Sequence, residues 1–74
     1  MKHYVITFFS HYDALIFFKF LKESGTRAKL MPVPRKVSAS CGTCVSLMAE
    51  REVNLDGYET EAVYLESDGA FIQI

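Results

Sequence analysis

Hydrophobic and polar positions along the chain predict alternating elements. His3 to Phe9 (residues 3–9) is a short run of β-branched and aromatic residues that ends at a polar cluster, the pattern of a buried strand. Ser10 then stands as a helix N-cap with Asp13 three residues on, in the manner of a capping box. A helix over 11–24 follows, and Gly25 supplies its stop. Ala14, Phe17, Phe18 and Leu21 share one face at helical spacing, and Leu15, Ile16 and Phe20 carry the apolar surface further around. One sheet covers one stripe of such a helix, so the rest of the Phe-rich surface 11–24 is open to a homo-oligomer or partner contact.

Arg27 to Val33 alternates as a second strand that ends at Pro32-Val33-Pro34. Proline has no N–H for a ladder, which puts this end at a sheet edge or in a loop. Strand, helix and strand within about 30 residues predict a right-handed βαβ unit with parallel strands. Residues 35–42 form a loop of small residues.

Beyond it two patterns compete. Cys41, Cys44, Val45 and Met48 fall at helical spacing and favour a helix over 41–53 capped by Ser40, whereas Thr43, Val45 and Leu47 alternate as in a strand. The helix is the preferred reading. Asn54 to Gly57 reads as a turn, and Glu61–Glu66 and Ala70–Ile74 flank Ser67-Asp68-Gly69 as a β-hairpin. The expected architecture is an α+β two-layer sandwich of βαβαββ order, one mixed sheet with one or two helices on one face.

Composition narrows the class. With 74 residues, half of them apolar, the chain suits a single domain, 1–74, and six Phe and four Tyr exclude a disordered chain. Ser10, His11 and Asp13 interrupt the N-terminal apolar run, which disfavours a secretory signal, and no stretch is long enough to span a membrane. Residues 1–36 carry a net charge of +5 and residues 37–74 one of −6, which predicts two oppositely charged faces. Nucleic-acid binding is disfavoured, since Arg35–Lys36 is the densest basic run and the pI is near 6.0.

Two cysteines without an export signal fit a reducing cytoplasm. Cys41-Gly42-Thr43-Cys44 is a C-x-x-C motif placed directly after a basic, Pro-flanked loop. A thiol does nucleophilic, redox or sulfur-transfer chemistry only as thiolate, so its pKa of about 8.5 must be lowered by cations, a helix N-terminus or a paired thiol. Arg35 and Lys36 lie within one loop's reach, Ser40 would begin a helix, and Gly42 leaves the backbone open to an incoming sulfur donor. Pro32 and Pro34 would stiffen the loop.

The plain alternative is core packing, which free cysteines favour. It suits Cys44, beside Val45 and Met48, better than Cys41 in its Ser- and Gly-rich surroundings. A zinc site would need a second ligand pair, and His3 and His11 stand on different elements, so no metal is expected. The acidic residues read as solvated faces, and no glycine-rich phosphate loop is present, so no cofactor is implied.

Pro32-Val33-Pro34-Arg35, then Val37-Ser38, then Ser40-Cys41-Gly42 resembles the P-x-P-R-x-[IV]-S-x-x-C-G signature of the small bacterial Se/S carrier-like proteins. The opening is similar too: Val5-Ile6-Thr7-Phe8 runs into Ser10-His11-Tyr12-Asp13-Ala14-Leu15, and a helix ends at Leu21-Lys22-Glu23-Ser24-Gly25. The resemblance covers about residues 3–48. It implies a likeness to TusA-type sulfur carriers, whose single cysteine accepts a sulfane sulfur as persulfide.

By matching position, Cys41 is the implied acceptor and Arg35 its electrostatic neighbour. The implied partners are a sulfur or selenium donor such as a cysteine desulfurase, and an acceptor protein. Cys44 departs from the family pattern and opens a role in resolving or releasing the cargo. Two other functions remain open on the residues alone, a thiol–disulfide couple of Cys41 and Cys44 and a non-catalytic interaction module.

Overall fold

The computed structural model describes residues 1–50, 55 and 57–74. Its elements run β1 (Lys2–Thr7), α1 (His11–Glu23), β2 (Ala28–Pro32), β3 (Thr43–Ala49), β4 (Ala62–Ser67) and β5 (Ala70–Gln73). The five strands form one sheet in the order β2-β3-β1-β4-β5, with every neighbouring pair antiparallel. Among the described residues one helix packs against this sheet, which gives the expected α+β two-layer architecture.

The ends of α1 follow from its caps. Ser10 has extended backbone, its hydroxyl accepts the Asp13 N–H, and it donates to the Asp13 carboxylate at 2.8 Å. At the other end Gly25 adopts a φ of +80°, its N–H bonds the Lys22 carbonyl, and the Thr26 N–H bonds the Leu21 carbonyl at 2.9 Å. That is a Schellman stop, and it satisfies two carbonyls the helix leaves open. The β4–β5 connection is as local: Asp68 and Gly69 both have positive φ, the requirement of a two-residue type I′ turn.

Two predictions need correction. The helix expected over 41–53, capped by Ser40, is absent among its described residues: Thr43–Ala49 is the strand β3. Among the described residues the order is therefore β-α-β-β-β-β, and the sheet is antiparallel rather than mixed. β1 and β2 do run in the same direction, because both pair antiparallel with β3, but β3 lies between them. The turn read at Asn54 to Gly57 falls largely outside the described residues, as does the end of the segment 41–53.

Pleating explains the core. Tyr4 and Ile6 on β1, Val45 and Leu47 on β3, and Ala28 and Leu30 on β2 share the face under α1, where Ala14, Phe17 and Leu21 meet them. Phe17 is fully buried, its ring 5.7 Å from that of Phe8 and 5.1 Å from that of Tyr58. The opposite face carries Val5, Thr7 and Cys44, which are also buried although α1 lies on the other side of the sheet.

The β2–β3 connection, residues 33–42, accounts for this. It is closed at its base by the Val33 N–H on the Gly42 carbonyl and turns at the Val37 N–H on the Pro34 carbonyl. Val37 is buried outside the helix-side cluster, and Lys36 Nζ reaches the Gly69 carbonyl at 3.0 Å. The segment thus lies across the second face as a flap.

Candidate functional site

Cys41 sits at the foot of this flap, just before β3. It is half-buried, and its sulfur accepts the Thr43 N–H at 3.4 Å. Gly42 is exposed, and a methyl group added there would meet no atom within 4 Å, so the backbone beside the thiol is open. Cys41 and Cys44 are both free thiols.

Cys44 is three residues on, and its surroundings are opposite in kind. It is completely buried beneath the flap, paired in register with Thr7 on one side and Met31 on the other. Its S–H points to the Pro32 carbonyl at 3.7 Å. Burial, with a smaller contribution from neighbouring Cys41, pushes its pKa up to about 11. At neutral pH this sulfur stays a thiol.

The sequence-predicted supporting residues separate. Ser40 stays beside Cys41 and anchors the flap: its N–H and hydroxyl bond the two carboxylate oxygens of Glu61 at 2.9 and 2.7 Å. The Ser40 N–H, and then its hydroxyl, hold the Glu61 carboxyl below the usual carboxylate range. Pro34 shapes the turn through its carbonyl. Arg35 is exposed and makes no ion pair or hydrogen bond among the described residues.

Lys36 goes elsewhere. Gly69 follows the β4 end that pairs with His3, whereas Cys41 precedes the β3 end that pairs with Thr7. These ends of β1 are roughly 14 Å apart at about 3.4 Å per residue. The Lys36 ammonium therefore points away from the thiol it was expected to activate. The helix N-terminus expected from Ser40 is also missing, because Cys41 opens a strand.

The start of α1 meets the residue two places after Cys41. His11, the first residue of α1, bonds Thr43 Oγ1 through Nδ1 at 3.1 Å, and Thr43 is the residue whose N–H meets the Cys41 sulfur. Sequence reasoning treated His11 only as an early helix residue and gave Thr43 and Glu61 no role. The N-cap at Ser10 did locate His11, but its meeting with Thr43 depends on β3 being a central strand.

A second polar group lies on the flap-side face. His3 Nε2 bonds Ser46 Oγ, and His3 Nδ1 lies 3.5 Å from a Glu66 carboxylate oxygen. The order is that of a serine-nucleophile relay, but Ser46 belongs to a strand hydrogen-bonded on both edges. Its backbone N–H is therefore committed to the ladder and is not free to meet a developing oxyanion. It is a cross-strand polar bridge.

Among the described residues no group of three or more His, Cys, Asp or Glu is placed to hold a metal ion, and no helix is long and apolar enough to cross a membrane. Residues 3–64 match the family model described as "Putative Se/S carrier protein-like". No curated protein and no solved structure matches the chain.

Proposed function

The chain belongs to the Se/S carrier protein-like family, and from that membership and the contrast between its two thiols we propose that it carries sulfur or selenium on Cys41. The observation that carries this reading is that Cys41 alone is reachable and open-backed, while Cys44 is buried and protonated. In loading, the Cys41 thiolate attacks the outer sulfur of a donor persulfide. A new S–S bond forms to Cys41, the donor's S–S bond breaks, and the donor cysteine leaves as thiolate. In unloading, an acceptor thiolate attacks the outer sulfur and Cys41 leaves as thiolate.

Arg35, exposed and without a partner among the described residues, is free to meet an anionic cargo or donor. The partners are a donor protein, such as a cysteine desulfurase, and an acceptor protein.

The test is incubation with a cysteine desulfurase and cysteine, followed by intact-mass measurement. The wild type and Cys44→Ser should each gain one sulfur atom, and Cys41→Ala none. No gain in the wild type, or an equal gain in Cys41→Ala, overturns the assignment. A Cys41–Cys44 redox couple is the second reading, favoured by the nearness that lets Cys41 act on the Cys44 pKa. It predicts that Cys44→Ser abolishes function, which separates it from a carrier.

A further inference from the structure

We infer that β5 is a self-association edge: two copies of the chain pair antiparallel along residues 70–74 about a two-fold axis at Ile72. Their five-stranded sheets then join into one of ten strands. The free backbone groups set this register. The Ile74 N–H bonds the Val63 carbonyl at 3.0 Å, and Leu65 pairs with Ile72 two residues back along the same ladder. Bonded positions alternate in an antiparallel pair, so Ile72 and Ile74 turn their backbone groups toward β4. Phe71 and Gln73 turn theirs outward, on the last strand of the sheet.

These two residues flank Ile72. A second copy set antiparallel, with Ile72 opposite Ile72, brings the N–H and carbonyl of each Phe71 against the carbonyl and N–H of Gln73 in the other copy. Four backbone hydrogen bonds form, and none of these outward groups is left unpaired. The donor and acceptor pattern is thus its own complement under a two-fold, the commonest symmetry of homo-oligomers.

The side chains fit the same register. Ile72 pairs with Leu65, and Leu65 with Tyr4 of β1, so Ile72 stands on the face that α1 covers. But α1 lies over β2 and β3, and Ile72 and Ile74 remain 53% and 57% exposed. In the pair the two Ile72 side chains meet at the axis, where opposed Cα atoms are about 4.5 Å apart, and each Ile74 meets Ala70 of the other copy. Residues 70–74 carry no charge, so the seam sets no like charges together.

The opposite edge is blunted. On β2 the Met48 N–H on the Arg27 carbonyl and the Val33 N–H on the Gly42 carbonyl fix Ala28, Leu30 and Pro32 as the outward residues. Pro32 has no N–H to offer, and Arg27 and Lys29 put positive charge along that strand. The β5 seam also lies three strands from β3, roughly 14 Å at about 4.8 Å per strand, so pairing leaves both Cys41 thiols uncovered.

The experiment is sedimentation equilibrium of the full chain from about 10 μM to about 1 mM, with circular dichroism to check the fold of each variant. The wild type should pass from monomer toward dimer across this range, as suits a contact at the small end of interface sizes. Ile72→Lys opposes two ammonium groups at the axis, and Gln73→Pro deletes an outward N–H while sparing the bonds to β4. Each change enters the contact twice and should weaken association by roughly tenfold or more. An equal mixture of Ile72→Lys and Ile72→Glu should recover the dimer that neither forms alone, which misfolded variants would not do.

A wild type that stays monomeric at the highest concentration overturns the inference, as does wild-type association in Ile72→Lys. A dimer dissolved by Ile16→Lys, on the exposed side of α1, and indifferent to the β5 variants assigns association to the helix and overturns it equally. Ile72→Lys should still take up sulfur on Cys41 as the wild type does, so the carrier function and the pairing stand or fall separately.

Discussion

Replacing Cys44 with alanine should flatten the alkaline limb of the stability curve. The Cys44 thiol is raised from an ordinary 9.0 to about 11, chiefly because ionising it beneath the flap would leave a charge without water. Above pH 9 the unfolded chain sheds this proton while the folded chain keeps it. The stability this group contributes is therefore complete below 9 and drains away as pH climbs toward 11. With those two values, its loss by pH 10.5 is about 2 kcal/mol, a large share of what a small domain has.

Urea unfolding followed at pH 7.5 and at 10.5 measures it. The other ionisable groups are common to both proteins, so the difference isolates what depends on Cys44. After subtraction of the offset at pH 7.5, wild type should fall by about 2 kcal/mol more than Cys44→Ala. Parallel falls would mean that the native Cys44 ionises as freely as an unfolded one, and the sealed pocket under residues 33–42 would be wrong.

Iodoacetamide at pH 8 should modify Cys41 in the folded protein and leave Cys44 untouched until urea is added, as peptide mass mapping would show; early labelling of Cys44 contradicts its burial. Glu61→Gln should loosen the flap, because the carboxylate accepts both the N–H and the hydroxyl of Ser40, and the Ser40 amide should exchange faster with deuterium. In the wild type the same loosening should come with acid: the Glu61 pKa is depressed, so its contribution holds above the ordinary carboxylate pKa and is lost as pH falls through the lowered one. An unchanged Ser40 rate in Glu61→Gln refutes the anchor. Phe17→Ala should cost about 3–5 kcal/mol by emptying the centre of the core, enough to leave much of the chain unfolded at 37 °C by circular dichroism. A loss below about 1 kcal/mol would mean the ring is not enclosed.

What the sequence disclosed were the elements with local signals. Ser10 and Gly25 bracket α1 to within a residue, and Ser67-Asp68-Gly69 marks the hairpin because its turn needs positive φ. Pro32 put the end of β2 at a sheet edge or in a loop, and β2 is an edge strand, where a missing N–H leaves no gap in a ladder. β3 was misread for a physical reason. It is central in the sheet, with α1 over Val45 and Leu47 and the flap over Cys44, so consecutive residues 44 and 45 are both buried. A strand enclosed on both faces loses the alternation that identifies strands, and Cys41, Cys44, Val45 and Met48 then imitate a helical stripe. The split of β1 from β2 was hidden for the same reason, since local patterning does not report which strand enters between two others.

Charge shows a related interleaving. The +5 and −6 halves of the chain predicted two opposed faces, yet the order β2-β3-β1-β4-β5 sets β1, from the basic half, between two strands of the acidic half. The flap continues the mixing, with Lys36 on the β4–β5 turn, Ser40 on Glu61, and His3 of β1 beside Glu66 of β4. Long-range steering depends on many like charges on one surface, whereas interleaved charges of opposite sign cancel at a distance, and salt screens exposed charges beyond a Debye length of about 8 Å. A basic residue near in sequence, such as Lys36, can be spent as a tether, while His11, thirty residues away, stands one hydrogen bond from the residue that holds the sulfur.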